Sequence, residues 1–125
     1  MSGADIGQRL VPALLAKDMH ETLAFYRRLG FALSGSHPDE ASATWAEVTR
    51  DGISLQFHSE ATAGTPGEPV MSGTLYVYPD DVMRLADEWR GTVEFARGPE
   101  KMPYGQLEFG IRDPNGYFLA FAERG

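Results

Sequence analysis

The sequence contains no cysteine. Disulfides, thiolate nucleophiles and cysteine-based zinc sites are excluded together, and the absence fits a reducing, cytoplasmic setting. No apolar run approaches the roughly 20 residues that a membrane-spanning helix needs, so no membrane partner is expected. The opening MSGADIGQ has neither a basic segment nor an apolar stretch and does not read as a secretory signal. Basic residues are scarce, 11 Lys and Arg against 18 Asp and Glu, for a net charge of −7. Nothing in such a balance neutralises phosphates over a broad surface, so nucleic acid is not an expected partner. The balance suits a solvated surface and favours cationic ligands. No Ser-His-acid order and no glycine-rich phosphate loop stands out among the motifs.

What is present describes one domain. The chain has 125 residues, 42% hydrophobic and 23% charged, enough for a sizeable core. RLVPALLA, residues 9–16, reads as a short strand, with Pro12 placing that stretch at an edge or a chain crossing. DMHETLAFYRRLG reads as a helix: Asp18 and Glu21 form a capping box, Gly30 is the stop, and Met19, Leu23, Tyr26 and Leu29 share one face. A strand follows from Phe31 to Ser36, then the loop HPDEAS. TWAEVT and ISLQFHS flank the turn residues Asp51 and Gly52, a hairpin signature.

Residues 60–72, EATAGTPGEPVMS, are rich in Gly, Pro and small side chains and read as a linker. Beyond them the pattern restarts. GTLYVYP is a strand, and DDVMRLADEWRG is a helix with Val82, Leu85, Ala86 and Trp89 on one face. TVEFA is a strand, RGPEKMPYG a loop, and QLEFGIR and GYFLAFAE are strands joined by the DPNG turn. The order predicts an α+β fold: two βαβββ modules, 9–59 and 73–123, whose mixed sheets curl around a concavity. Each helix covers one face of its sheet. FLAFAE is apolar on both faces, so its second face should line that concavity.

The ordered set VPALLAKD, FYRRLGF, DGISLQF, GTLYVYPDDV and YGQLEFGIRDPNGYFLAFAE resembles the vicinal oxygen chelate superfamily of glyoxalases, bleomycin-resistance proteins and dioxygenases. The resemblance spans about residues 9–123. It implies a metal site on the inner sheet faces, at positions that match Val11, Gln56, Thr74 and Ala120. Val11 and Ala120 have no donor atom, Thr74 is a poor neutral donor, and Gln56 alone cannot hold an ion. No metal or other cofactor is therefore expected.

VPALLAKD, DEW, PYG and EFGIRDPNG are most similar to the bleomycin-resistance branch, whose members are homodimers that sequester a cationic drug in grooves between subunits. The resemblance implies a homodimer here and a ligand-binding groove lined by Trp45, Gln56, His58, Tyr76, Met102 and Tyr104. Three rings and a thioether suit a flat ligand. Packing is the competing explanation for Trp45 and Tyr76, and Trp89, Tyr26 and Phe25 read as core. Of the three histidines, His20 opens a helix, His37 lies in a loop, and only His58 shares a strand face with Gln56. Glu47, Glu94 and Glu108 are possible acids on strands expected to have solvated edges or faces. Two functions follow: a metal-free binding protein that sequesters a bleomycin-like or other flat cationic antibiotic, or a lyase- or isomerase-type enzyme that uses Gln56, His58 or Glu108 on a small metabolite.

Overall fold

Asp18 has an extended backbone, and its carboxylate accepts a hydrogen bond from the Glu21 amide at 3.0 Å. This cap starts helix α1, Met19–Arg28. Asp81 does the same for Arg84 at 3.0 Å and starts α2, Val82–Trp89. Gly30 and Gly91 follow the two helices at positive φ, where a side chain would be strained. Leu23 and Tyr26 on α1, Leu29 at its C-terminal cap, and Val82, Ala86 and Trp89 on α2 are buried, as the helical spacing predicts.

The computed structural model describes residues 3–60 and 67–123. Eight strands accompany the helices: β1 Ala13–Leu15, β2 Ala32–His37, β3 Trp45–Arg50, β4 Ile53–His58, β5 Leu75–Val77, β6 Arg97–Lys101, β7 Leu107–Arg112 and β8 Phe118–Glu123. They form two four-stranded mixed sheets, in the order β1-β4-β3-β2 and β5-β8-β7-β6. In each, the first strand runs parallel to the last of its module and the other pairs are antiparallel. Neither sheet closes. The expected α+β architecture is the one observed. Of the linker expected at 60–72, residues 61–66 lie outside the described residues.

Several boundaries differ from the sequence reading. The first strand begins at Ala13 rather than Arg9; Pro12 lies outside it and offers its carbonyl to the Gln56 amide at 2.9 Å. Ahead of it, Ile6 and Leu10 are almost fully exposed. The strand after α1 extends one residue further, to His37. TVEFA makes only an isolated bridge, Arg90 to Val93, and the sixth strand is instead RGPEK, expected to be loop. This is the edge strand of its sheet, where Pro99 costs no central ladder bond, and a register shift between Arg97 and Glu100 absorbs Gly98 and Pro99.

One core lies between the sheets. Val48, Leu55 and Phe57 of the first sheet join Tyr26, Leu29 and Trp89 of the helices and Phe109, Ile111, Leu119 and Phe121 of the second. Trp89 meets Phe121 edge to face at 4.9 Å and Tyr26 meets Phe31 edge to face at 5.4 Å, while Phe109 stacks on Phe121 at 5.2 Å. Polar ties cross the same boundary. Tyr117 donates to the Leu15 carbonyl at 2.6 Å and Tyr26 to Asp113 at 2.8 Å. Asn115 accepts from the Lys17 amide at 2.8 Å and donates to Thr22 at 3.1 Å. The Leu29 carbonyl receives both Trp89 Nε1 at 3.2 Å and Arg50 Nη1 at 2.7 Å. The DPNG turn is thus a clasp between the two halves as well as a hairpin connection.

Candidate functional site

Strand alternation decides which side chains leave this core. In the first sheet Leu55 and Phe57 point inward, so Ser54, Gln56 and His58 point outward; with Ala46 and Val48 inward, Trp45, Glu47 and Thr49 share that outer face. Register places Trp45 beside His58 and Glu47 beside Gln56. Gln56 Nε2 donates to Glu47 Oε2 at 3.1 Å, and Ser34 donates to Glu47 Oε1 at 3.0 Å. Hydroxyl contacts continue from Ser34 to Thr49 at 2.8 Å and from Thr49 to Ser54 at 3.4 Å, where Arg9 donates to Ser54 Oγ at 3.1 Å. The Trp45 ring lies over Gly35, where an added Cβ would come within 3.0 Å of it. Trp45 is half-buried, so one part of the ring packs and another part is open. His58 Nδ1 lies 2.7 Å from the Glu60 carbonyl.

The second sheet has a different outer face. Phe109, Ile111, Leu119 and Phe121 point into the core, which turns Glu108, Gly110, Phe118, Ala120 and Ala122 outward. Tyr76 of β5 pairs with Ala120, Ala120 with Gly110, and Gly110 with Arg97 of β6. Two small residues thus lie between a tyrosine and an arginine in one row. The long side chains reach over them, and Arg97 Nη2 comes to 3.4 Å from the Tyr76 hydroxyl. Beneath them Glu108 is fully buried, contrary to the solvated face expected for it. Its Oε1 accepts from Tyr104 at 2.8 Å, from Tyr76 at 3.3 Å and from Arg97 in a close ion pair. Gln106 donates to Oε2 at 3.4 Å. A buried carboxylate needs such partners, because an unpaired charge there would cost several kcal/mol. The bonds to Tyr76 and Glu108 push the Tyr104 phenol well above its ordinary range. Tyr78 stacks on Tyr76 with centroids 6.0 Å apart, and the Tyr104 side of the cluster is exposed. Met102 begins the turn that carries Tyr104, held by Gly105 N to Met102 O at 2.9 Å and Met102 N to Gln106 O at 2.7 Å.

The six candidate residues therefore form two sets on different sheets. Trp45, Gln56 and His58 share one outer face; Tyr76, Tyr104 and Met102 belong to the other, with the common core between. Sequence reasoning missed Arg97 entirely, since it fell in an expected loop, read Glu47 as a solvated acid, and kept Glu108 only for the enzyme reading. Period-two alternation marks both acids as lying off the core face, but only tertiary contacts distinguish a buried pair from a solvated charge.

The residues do not fit a divalent ion. Ala120 presents a buried methyl group beneath Tyr76 and Arg97, Val11 has no donor atom and lies outside β1, and Thr74 and Gln56 offer only neutral oxygens. Among the described residues, no three His, Asp or Glu side chains come together in a way that would share an ion.

A comparison with curated proteins gave no match. Solved structures do resemble this fold. A bleomycin-binding protein complexed with bleomycin superposes with a TM-score of 0.75 at 21% identity, over 95% of this chain and 100% of that one. TnmS3, an antibiotic-binding protein from Streptomyces sp. CB03234, gives 0.76 at 21% identity, over 98% and 100%. A lactoylglutathione lyase from Agrobacterium tumefaciens gives 0.70 at 21% identity, over 95% and 96%. Residues 9–121 match the family model for the Glyoxalase/Bleomycin resistance protein/Dioxygenase superfamily, and the chain belongs to that superfamily.

Proposed function

We propose that this protein is a metal-free small-molecule-binding protein, that it works as a homodimer, and that it sequesters a flat aromatic ligand of the bleomycin-like, cationic kind. The observation that carries the reading is the division of the aromatic residues between two outer faces. Trp45 stands beside Glu47 on one, and Tyr76 and Tyr104 cluster on the other. A single chain cannot close both faces on one ligand, because its own core separates them. A second copy can lay its Tyr76–Tyr104 face against the Trp45 face of the first and complete a groove. Open rings with polar tips suit a planar ligand, and the Glu47 carboxylate beside Trp45 supplies a counter-charge for a cation.

A lyase-type enzyme is the second reading, favoured by the likeness to the lactoylglutathione lyase. It is the weaker one, because Gln56 and Glu108 already have hydrogen-bond partners within the chain.

Tryptophan fluorescence tests the binding reading. Trp89 is buried in the core and Trp45 is half-buried on the outer face. A bleomycin-type cation should quench the wild type and Trp89→Phe, and leave Trp45→Phe almost unresponsive. Light scattering at micromolar concentration should give the mass of two chains. Unchanged Trp45 emission across bleomycin-type cations and a panel of flat aromatic molecules, or a single-chain mass, rejects the corresponding part.

A further inference from the structure

We infer that the outer face of the second sheet also holds a subsite for an anionic group, a carboxylate or a phosphate, gripped by Arg112 with Arg97 behind it. A cavity of about 390 Å³ opens there, bounded by Met71, Gly73, Thr74, Arg97, Arg112 and Phe118. The chain as a whole carries seven more acidic than basic residues, yet this lining contains two guanidinium groups and, among the described residues, no carboxylate. Both cations sit over one ring, each 5.1 Å from the Phe118 centroid. They therefore stand within about one Debye length of each other at ordinary salt, where like charges repel.

Neither guanidinium is fully used. Arg97 pairs with Glu108, but its Nε is buried and has no partner. Arg112 is exposed and makes one long bond, 3.4 Å to the Gly116 carbonyl. Its fork of donors is free for the planar, two-point recognition that carboxylates and phosphates invite. An anion seated between the two would relieve their repulsion, and Ser72 and Thr74 add hydroxyl groups at the rim. Phe118 supplies an apolar wall, so the carboxylate of a small aromatic acid fits as readily as a free phosphate.

The subsite lies on the face that carries Tyr76 and Tyr104, and all of its lining comes from one chain. The test uses benzoate, inorganic phosphate and benzylamine as probes, read by the Arg Nε–H signals of the full-length protein in NMR titrations. Benzoate or phosphate should shift the Arg97 and Arg112 signals saturably at millimolar concentration. Arg112→Gln should weaken this at least tenfold, Arg112→Lys should weaken it less, and Arg84→Gln on α2 should leave it unchanged. Benzoate alone binding assigns a carboxylate on a ring; phosphate alone binding assigns a phosphate; either supports the subsite. No saturable shift, an equal response to benzylamine, or unchanged affinity in a folded Arg112→Gln protein overturns it. The Trp45 titration uses cations and the arginine titration uses anions, each with its own readout, so the two proposals fail separately.

Discussion

The Tyr26 hydroxyl donates to the Asp113 carboxylate at 2.8 Å, 87 positions along the chain, and both side chains are buried. Asp113 also accepts from the amides of Asn115 at 2.8 Å and Tyr117 at 3.0 Å. Burial nevertheless prevails and raises its pKa above the ordinary aspartate value, with these bonds and one from the Asn115 side-chain amide opposing the rise. The folded chain thus holds this proton more tightly than the unfolded chain. Below pH ~4 both states are protonated. As pH rises through the window just above that, the unfolded state releases its proton first, and stability falls until the raised folded value is passed. Asp113→Asn removes the effect and keeps an oxygen for the two amides. Urea unfolding of both proteins across this window should show the wild type losing stability relative to the variant as pH rises. A relative gain with pH would mean that the hydrogen bonds outweigh burial.

The residues that form this clasp were readable as a turn and not as a clasp. DPNG announces a hairpin through its local chemistry, and the helix caps Asp18 and Asp81 and the Asp51-Gly52 turn are local in the same way. That Asn115 reaches Thr22 is a contact across 93 positions, which no short pattern encodes. The sixth strand was hidden for a different reason. Its Gly and Pro speak for a loop, and only its place at a sheet edge makes a strand tolerable. For the site, the sequence brought out the aromatic residues and the missing metal donors. The burial of Glu108 and its pairing with Arg97 depend on which strands become neighbours.

Gly98 and Gly52 make a contrasting pair. Gly98 has φ +70°, and an added Cβ would lie 2.4 Å from the Glu108 carbonyl oxygen, a backbone atom that cannot swing away. At Gly52 φ is not in the left-handed region and nothing lies within 4 Å. Gly98→Ala combines backbone strain with a clash and should cost about 2 kcal/mol or more. Gly52→Ala should stay within about 0.5 kcal/mol of wild type. Urea midpoints give both values. A neutral Gly98→Ala would show that β6 can slide along β7.

The Glu108–Arg97 pair predicts a strong asymmetry between single and double changes. Glu108 is completely buried, whereas about a third of the Arg97 side chain is exposed. Glu108→Leu leaves a cation and two tyrosine hydroxyls without their acceptor, at a cost of about 2–3 kcal/mol; water reaching Arg97 keeps the figure below that of a fully buried pair. Adding Arg97→Leu should restore at least half of the loss, since both charges then leave together. Denaturant unfolding of the four proteins in the cycle measures this. If the double variant is as unstable as the sum of the singles, the pair is not coupled.

Ala120 is one of the four positions that the family resemblance matches to a metal site, and its methyl group is fully buried in the row Tyr76, Ala120, Gly110, Arg97. Its smallness has a local cause, because Tyr76 and Arg97 meet above it only if nothing taller intervenes. Gly110 beside it is under the same constraint from another side: a Cβ there would come within 2.4 Å of the Phe118 ring. Ala120→Glu should therefore act as overpacking. It should push Tyr76 and Arg97 apart, bring a second carboxylate close to Glu108, and cost about 1–3 kcal/mol in urea unfolding. It should also gain no metal, since Val11 still has no donor atom and Thr74 and Gln56 offer only neutral oxygens. Equilibrium dialysis of the variant against zinc, manganese and nickel checks the second half. One tightly held ion per chain would show that a single carboxylate rebuilds the site, and would mean that Ala120 alone keeps this sheet face free of metal.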